Sequence, residues 1–348
     1  MAVKSYKCPN CGAGLEFKPA HQKFRCDYCL SEYSEKEILD KDKDHIETNE
    51  VDKSLVEQDH LASYNCNSCG ATVVTDDTTT STFCYYCHNP VILSDRLIGS
   101  FQPNKMIPFT VDKDQAQKTF LNWVSKNRFV SSDFYSSSQL EKITGVYLPY
   151  WWADSKIDVD YEGEKNTSKV WTNGDTEYTE TNKYRVIRQG QIEISNIEEV
   201  AFSKIEKDLL DGIAPYNQKK VRDFSMPYLS GFFAEQYDIS KEEVTHKIDN
   251  QIKKISNILI SNTILDNNQM KVLKDQNNIV SKKMSYTLLP AWILTYQYEG
   301  KTFVFAVNGQ TGKSFGELPI SNKKILGTAV GVFVVTTLVL LLGGMFIW

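Results

Sequence analysis

The sequence predicts a multidomain chain with two small β ribbons of four cysteines each, a β-rich α+β domain and one C-terminal transmembrane helix. Three observations predict it. All eight cysteines fall between residues 8 and 87, aromatic and β-branched residues in short runs dominate from about residue 97, and the last 24 residues carry no charge. The predicted domains are 1–33 (first ribbon), 34–60 (charged linker), 61–95 (second ribbon), 96–322 (α+β domain) and 323–348 (membrane anchor).

The cysteines form an internal repeat. Each set consists of two C-x-x-C pairs separated by fourteen residues, and adding 58 to every position of the first set gives the second. The sets are Cys8, Cys11, Cys26 and Cys29, followed by Cys66, Cys69, Cys84 and Cys87. Two such pairs facing each other supply four thiolates, which is the ligand set of a structural zinc site. The pattern therefore predicts two structural Zn²⁺ ions.

Other uses of the cysteines are less compatible with the pattern. Disulfides would need a secreted context, and the polar residues before Cys8 do not resemble a signal peptide. Iron in a rubredoxin-like site and a redox dithiol remain as alternatives. With four cysteines filling each site, no position is open for water, so hydrolytic zinc chemistry is not expected. His21 and His88 lie nearby and are interpreted as surface residues.

The α+β domain is predicted from periodicity. Asp114–Asn127 has the pattern of an amphipathic helix, and Ser240–Leu265 begins with a capping box formed by Ser240 and Glu243. Most of Val146–Ile194 and Tyr286–Gly316 alternates as strands do.

A shorter repeat lies inside this domain. Leu148–Trp151 and Leu289–Trp292 both read Leu-Pro-x-Trp, and each leads into a predicted β-hairpin. Two similar hairpins in one core explain the repeat most simply. A pair of ligand-binding aromatic residues is the alternative.

The C-terminal run Ile325–Trp348 contains no charge and no proline. A helix of that length would span about 36 Å, which exceeds a hydrocarbon core of about 30 Å. Lys323 and Lys324 precede it as membrane-flanking cations, which predicts a single-pass cell-membrane protein with a cytoplasmic N-terminus. Gly327 and Gly331 form one G-x-x-x-G, a motif that packs transmembrane helices closely.

Charge and motifs limit the function classes. The net charge is −5, and residues 61–95 contain no Lys or Arg, which disfavours nucleic acid as the partner. Asn308–Ser314 ends in the Gly-Lys-Ser of a phosphate loop, but Val307 stands where the motif needs glycine and no helix can follow. A hairpin turn at Asn308-Gly309 is the better interpretation. No catalytic signature is present in the sequence, so the chain is not expected to be an enzyme.

Several motifs resemble those of one family. They are Cys8–Cys29, Gly145–Trp151, Tyr228–Asp238, Leu289–Trp292 and Val307–Lys313. The chain resembles bacterial membrane proteins with TFIIB-type zinc ribbons. That resemblance implies association with a phage-shock-protein A homologue, an SPFH-domain protein and a second small membrane protein. It also implies a role in tethering these partners to a stressed membrane.

Together these features predict an adaptor rather than a catalyst. The ribbons and the α+β domain would recruit partner proteins to the bacterial membrane in an envelope-stress response. A membrane-tethered nucleic-acid-binding protein of replication or transcription is the alternative.

Overall fold

The structure is a computed structural model that describes residues 3–42, 61–127, 129–130, 140–264, 270–298 and 300–345. Most of the predicted linker and the end of the predicted Ser240–Leu265 helix therefore lie outside the described residues. The domain boundaries taken from the sequence stay a prediction. By its internal contacts the chain divides into two compact units. Unit 1 comprises Met1–Leu148, Phe202–Gln236 and Leu288–Trp348, and unit 2 comprises Pro149–Ala201 and Tyr237–Thr287.

The strands and helices follow in chain order. The strands are β1 Val3–Lys4, β2 Glu16–Lys18, β3 Lys23–Arg25, β4 Glu32–Tyr33, β5 Leu61–Asn65, β6 Thr72–Asp76, β7 Thr79–Phe83, β8 Pro90–Leu93, β9 Lys105–Met106, β10 Thr144–Asn173, β11 Thr176–Val200, β12 Arg222–Asp223, β13 Phe233–Glu235, β14 Met270–Asp275, β15 Asn278–Tyr298, β16 Lys301–Asn308 and β17 Ser314–Gly316. The helices are α1 Glu35–Asp42, α2 Lys113–Ser125, α3 Lys207–Ile213, α4 Lys241–Asn262 and α5 Asn322–Met345.

A mixed sheet forms the framework of unit 1. Strand β8 lies between β1 and β7, and β7 pairs antiparallel with β13. Strand β13 then pairs in parallel with the start of β10, at Val146 and Tyr147. A separate antiparallel run joins β15, β16 and β17, with β15 and β16 forming the predicted hairpin between Tyr298 and Lys301. The predicted hairpin after Leu289–Trp292 is therefore confirmed.

An aromatic cluster fills the core of unit 1. The ring of Phe109 stacks on Phe232 at 4.1 Å between centroids and contacts Trp292 edge-on at 5.1 Å. Tyr147 is fully buried beside both phenylalanines. Trp292 is buried as well and donates its Nε1 proton to the carbonyl oxygen of Val111. Because a buried indole needs an acceptor for its N–H, this bond satisfies the only polar atom of that side chain.

Helix α2 packs on the same unit. Asp112 and Gln115 form a reciprocal capping box at its N-terminus. Phe120 is buried and meets the ring of Phe305 at 4.9 Å, and Trp123 lies 4.6 Å from that same ring. The amphipathic helix predicted from the sequence is confirmed.

Unit 2 is built on a long antiparallel hairpin. Strands β10 and β11 pair from Tyr150↔Val200 to Asn173↔Thr176, and β14 adds to β10 between Tyr161 and Lys165. Helix α4 belongs to the same unit and begins at Ser240 with the predicted capping box. Its buried side chains repeat at helical spacing and are Val244, Ile248, Ile252, Ser256 and Ile260.

The C-terminal segment requires a correction. Helix α5 covers Asn322–Met345, and its side chains are described for residues 324–340. Within the part of the chain that the structure describes, no helix has both the length and the apolar character required to cross a membrane. The predicted transmembrane helix Ile325–Trp348 and the single-pass membrane localisation are therefore wrong. Residues 346–348 of that prediction lie outside the described residues.

The predicted helix-packing role of Gly327 and Gly331 and the membrane-flanking role of Lys323 and Lys324 both depended on that span. Gly327 and Gly331 lie on α5 with no atom within 4 Å of the position a Cβ would take. Lys324 does not point away from the protein: its Nζ donates to the carbonyl oxygen of Val130 at 2.7 Å. The side chain of Lys323 lies outside the described residues.

Candidate metal centres

Each of the four C-x-x-C pairs adopts the same tight turn. In every turn, the residue four positions after the first cysteine donates its backbone N–H to the carbonyl oxygen of that cysteine. The four bonds run from Gly12 to Cys8 (2.8 Å), from Leu30 to Cys26 (2.8 Å), from Gly70 to Cys66 (2.8 Å) and from His88 to Cys84 (2.9 Å). This turn brings the two sulfur atoms of each pair to one side of the loop.

The repeat of 58 residues is therefore also a structural repeat. The residues that donate these bonds all adopt the left-handed conformation, with φ of 76° at Gly12 and at Gly70, 62° at Leu30 and 57° at His88. Glycine, at positions 12 and 70, is the residue type that adopts this conformation most readily. Leu30 and His88 adopt it at the equivalent places of the second pairs, although it is uncommon for any residue other than glycine. Positions 30 and 88 also differ by 58 residues, so the sequence repeat does indicate that they are equivalent.

The four cysteines of module 1 (Cys8, Cys11, Cys26 and Cys29) converge on one point. Cys8 Sγ lies 3.5 Å from Cys29 Sγ, and Cys11 Sγ lies 3.4 Å from Cys26 Sγ. All four sulfur atoms lie within 4.8 Å of one another. Four thiolates at about 2.3 Å from a tetrahedral zinc ion would be about 3.8 Å apart, so the separation fits a shared metal ion. A disulfide would need about 2.05 Å, and all eight cysteines are free.

The cysteines of module 2 (Cys66, Cys69, Cys84 and Cys87) repeat this arrangement. The Cys66–Cys87 and Cys69–Cys84 sulfur pairs are both 3.7 Å apart, and all four sulfurs again lie within 4.8 Å. In both modules the first cysteine of each pair is buried, while the second is exposed or half-buried. The structure thus brings together all eight cysteines, in the two sets that the spacing predicted, as two groups that can each hold a metal ion.

The environment favours charge on some of these sulfur atoms. Hydrogen bonding to the Ser31 hydroxyl, 3.3 Å from the sulfur, and to its backbone lowers the pKa of Cys29 to about 5. Burial acts to raise the pKa of Cys84, but the backbone N–H groups of Cys87 and Tyr86 outweigh it and lower that pKa to about 7. A thiolate is the form that binds metal, so each module contains at least one sulfur prepared for that state.

The two nearby histidines are not among the converging ligands. His21 Nδ1 lies 2.6 Å from Glu32 Oε1 in an exposed pair. His88 serves as the turn residue after Cys84 and Cys87. Each metal group therefore consists of cysteines alone, as the sequence predicted.

Module 1 is anchored to the rest of unit 1 by its apolar side chains. Phe17 and Phe24 are buried, and their rings meet Tyr228 at 4.7 Å and 5.3 Å. Backbone and side-chain bonds reinforce this contact: Phe17 N donates to Ser230 O at 2.9 Å, and Ser230 Oγ donates to Leu15 O. The three-stranded sheet β2–β3–β4 is thus covered on this face.

Module 2 is joined to unit 1 through its strands. Its second pair of cysteines follows β7 and precedes β8, and both strands belong to the framework sheet. A small apolar core surrounds the sulfur atoms and consists of Tyr64, Cys66, Val73, Cys84, Val91 and Leu93. Both metal groups therefore pack against the rest of unit 1, and this packing positions their cysteines.

Both modules leave large apolar side chains in solvent at the second cysteine pair. Tyr28 is 85% exposed and its counterpart Tyr86 is 71% exposed. Leu30 and Tyr85 lie beside them and are 60% and 70% exposed. These four residues are called the tip residues below. The sequence showed that they are aromatic or apolar but gave no sign that all four stay uncovered.

The Gly-Lys-Ser segment proves to be a turn. Asn308 is fully buried, and its Oδ1 accepts hydrogen bonds from the backbone N–H groups of Gln310 and Thr311, both at 2.9 Å. Strand β17 follows it, not a helix. The hairpin interpretation of this segment is confirmed, and the segment lacks the helix N-terminus that a phosphate loop requires.

Comparison with known proteins gives one informative match. No family model matches the chain, and no solved structure matches it. The TFIIB-type assignment of the ribbons therefore stays a prediction. A curated relative, the "Uncharacterized protein YdjG" of Bacillus subtilis (strain 168), is 32% identical over 351 residues, covering 99% of this chain and 100% of the relative. At that identity over the full length of both proteins, the chain belongs to the family of the uncharacterized protein YdjG.

Proposed function

We propose that this protein is a zinc-dependent adaptor that docks partner proteins on the tip residues of its two ribbon modules. The exposure of Tyr28 and Tyr86 at equivalent positions carries the proposal. A large aromatic side chain left in solvent costs free energy that burial in an interface recovers. The same side chain at the same place in both modules supports a function of the duplicated unit.

Zinc is the metal that fits the eight sulfur atoms best. Zinc favours four thiolates in a closed tetrahedron at structural sites, and the sulfur separations of 3.4–3.7 Å in the Cys8–Cys29, Cys11–Cys26, Cys66–Cys87 and Cys69–Cys84 pairs are compatible with that geometry. Iron in the same ligand set is the competing assignment, and metal analysis of the purified chain separates the two. With four cysteines at each site, the ion would support the fold and would leave no position for a substrate.

Charge supports a protein rather than a nucleic acid as the partner. Residues 61–95 contain no Lys or Arg, so phosphate groups would find no cation in module 2. The next cation, Arg96, is turned inward, where Nη1 donates to the carbonyl oxygens of Asp76 and Thr79. Exposed tyrosine side chains with few charged neighbours are typical of the centres of protein–protein interfaces, where aromatic residues are enriched and Lys, Glu and Asp are depleted.

The partners to test first are those that the family resemblance implies, a phage-shock-protein A homologue and an SPFH-domain protein. The experiment compares their binding to the intact chain and to a variant that carries Tyr28→Ser and Tyr86→Ser. We expect the double variant to lose at least about tenfold in affinity, since central aromatic residues contribute about 2 kcal/mol or more each.

The control is Ile258→Ala, which removes an exposed apolar side chain (54%) from helix α4, away from the two modules. It should leave binding unchanged. Metal content is measured in all variants, because a loss of zinc would remove binding indirectly. If the double variant keeps its zinc and binds both proteins as the intact chain does, the tip residues are not the docking site.

A further inference from the structure

The distal part of the long hairpin in unit 2 projects without any covering element among the described residues. Strand β14 pairs with β10 only as far as Lys165. Beyond that point, β10 and β11 pair with each other alone, from Asn166↔Lys183 to Asn173↔Thr176. Every residue from 168 to 185 is exposed. An isolated two-stranded ribbon is at best marginally stable in water, so a ribbon exposed on both faces lacks the packing that would normally hold it.

Strand β11 also has an unpaired edge. Within the described part of the chain, Thr176–Arg185 of β11 pairs in the sheet only with β10, so the other edge of this distal part is open to solvent. Such an edge is a template for adding another strand. Between residues 176 and 191 this edge has neither a proline nor a bulge, and charged side chains are the one protection of a sheet edge that it carries.

The charges along β11 are divided by sign. Glu177 and Glu180 occupy its first part, and Lys183, Arg185 and Arg188 follow. A second copy of β11 laid alongside in the parallel direction would place like charges together. Laid antiparallel, the acidic part of each copy faces the basic part of the other. The strand is therefore complementary to itself in the antiparallel direction only.

We propose that two copies of this chain associate through antiparallel pairing of their β11 edges, with Thr181 at the two-fold axis. In this register Glu177 faces Arg185 of the second copy, and Tyr178 faces Tyr184 of the second copy, each twice. Opposite charges and aromatic pairs directly across from each other are the pairs that stabilise an antiparallel sheet. The two-fold axis makes the interface closed, so association stops at a dimer.

The two faces of the hairpin gain different contacts from this pairing. On one face, Tyr178 already stacks on Trp171 with ring centroids 5.7 Å apart and planes at 13°. Tyr184 of the second copy would lie next to Tyr178 and extend this row of aromatic rings. The rings of Trp171, Tyr178 and Tyr184, which are 43–52% exposed in one chain, would thereby become partly covered. On the other face, Arg185, which pairs with Glu162 at 2.7 Å, gains Glu177 of the second copy as a second carboxylate.

Cysteine cross-linking of the full chain tests this register. Thr181→Cys places a thiol beside its own copy at the axis, at the Cα separation of about 5 Å that a disulfide bridges. Ser168→Cys is the matched control: its Oγ lies 3.2 Å from Thr181 Oγ1 and it is equally exposed, but it would be two strands away from its copy's β11. Both variants are oxidised mildly with zinc present, beside the unsubstituted chain.

We expect Thr181→Cys to run mostly as a disulfide-linked dimer on a non-reducing gel, and Ser168→Cys and the unsubstituted chain to remain monomeric. Equal cross-linking of the two variants would mean random collision. Absence of the Thr181→Cys dimer at every concentration tested would mean that the edge has another occupant or none. Either outcome overturns the proposal.

Charge reversal in the Thr181→Cys background tests the partner's identity. Glu177→Arg alone and Arg185→Glu alone should each reduce dimer formation severalfold, because both create like-charge contacts. Mixing these two variants restores both ion pairs, so the mixture should cross-link as the parent does. Lys169→Gln, which changes a charge on the opposite strand of the same hairpin without placing a like charge across from Glu180, should have little effect. If the mixture stays as weakly linked as either variant alone, the proposed pairing is wrong.

Discussion

The ring of Phe17 in the first cysteine module lies edge-on against the ring of Tyr228, with centroids 4.7 Å apart. Phe17 is 2% exposed and Tyr228 is 5% exposed, although 211 residues separate them in sequence. The contact makes module 1 part of the core of unit 1. Metal binding by module 1 is therefore coupled to the packing of that core.

Removal of zinc should disturb more than the modules. Each module is too small to bury a stable core alone, so chelation is expected to unfold both. Because Phe17 packs near Phe232, which contacts Trp292 at 5.9 Å, the emission of Trp292 should change as well. Fluorescence during chelation checks this, with Trp292→Phe as the control for the other tryptophans. An unchanged emission with complete zinc release would contradict the coupling.

Phe17→Ala should destabilise unit 1 by about 3–5 kcal/mol, the usual cost of truncating a buried phenylalanine. Amide hydrogen exchange of unit 1 measures the loss without assuming that the whole chain unfolds in one step. Tyr28→Ala in the same module should cost at most about 0.5 kcal/mol, because its ring is exposed. Similar losses in both variants would show that the contact with Tyr228 contributes little.

Loss of one cysteine should release one ion only. Cys84→Ser removes a fully buried ligand from module 2, and Cys26→Ser does the same in module 1. We expect each variant to bind one zinc per chain where the intact protein binds two, measured by elemental analysis of the purified proteins. A variant that loses both ions would indicate that the modules fold as one unit.

Gly70 should affect zinc binding through its backbone conformation, not through the space around it. Its φ is 76°, and no atom lies within 4 Å of where a Cβ would be. Gly70→Ala therefore creates no collision, but places alanine in the left-handed region at a cost of about 1 kcal/mol. Competition with a zinc chelator should show affinity at module 2 lowered about fivefold. Affinity at module 1, which keeps Gly12, serves as the internal control.

Stability should fall as pH rises through the range where Glu235 ionises. Burial raises the pKa of Glu235 above its usual range, although Thr78, Thr79 and Lys204 act to lower it. A raised pKa means that the folded state holds the proton more tightly than the unfolded state. The stabilising contribution is thus present below the unfolded pKa and lost above the folded pKa.

Glu235→Gln should remove this part of the pH dependence and raise stability at neutral pH. Hydrogen exchange or thermal unfolding follows the change between about pH 4, near the ordinary carboxyl pKa, and about pH 8, well above it. Glu193→Gln is the control: Glu193 is exposed and pairs with Lys156, so its effect on stability should be small. A parallel pH profile in both variants would exclude a role for the burial of Glu235.

The spacing of the cysteines was sufficient to predict which of them share a metal ion. A spacing repeated at 58 residues predicted which four thiols converge in each module, and the structure places those sulfurs within 4.8 Å of one another. Local signals were equally reliable for the capping box at Ser240 and for the turn after Asn308, because both depend on residues within a few positions. Composition was a poor guide at the C-terminus, where an uncharged run predicted a membrane span that the described helices do not provide.

The positions of the modules within unit 1 and the surfaces that remain exposed depend on contacts between residues far apart in sequence. The contact of Phe17 with Tyr228, the pairing of β7 with β13 and the inward turn of Arg96 join residues far apart in sequence, and no local pattern encodes them. Exposure of Tyr28 and Tyr86 has the same origin, since burial depends on what the rest of the chain covers. The metal ligands can be predicted from the cysteine spacing because each C-x-x-C turn is local. A docking surface consists of side chains that no other part of the chain covers, so it can be identified only when the long-range contacts are known.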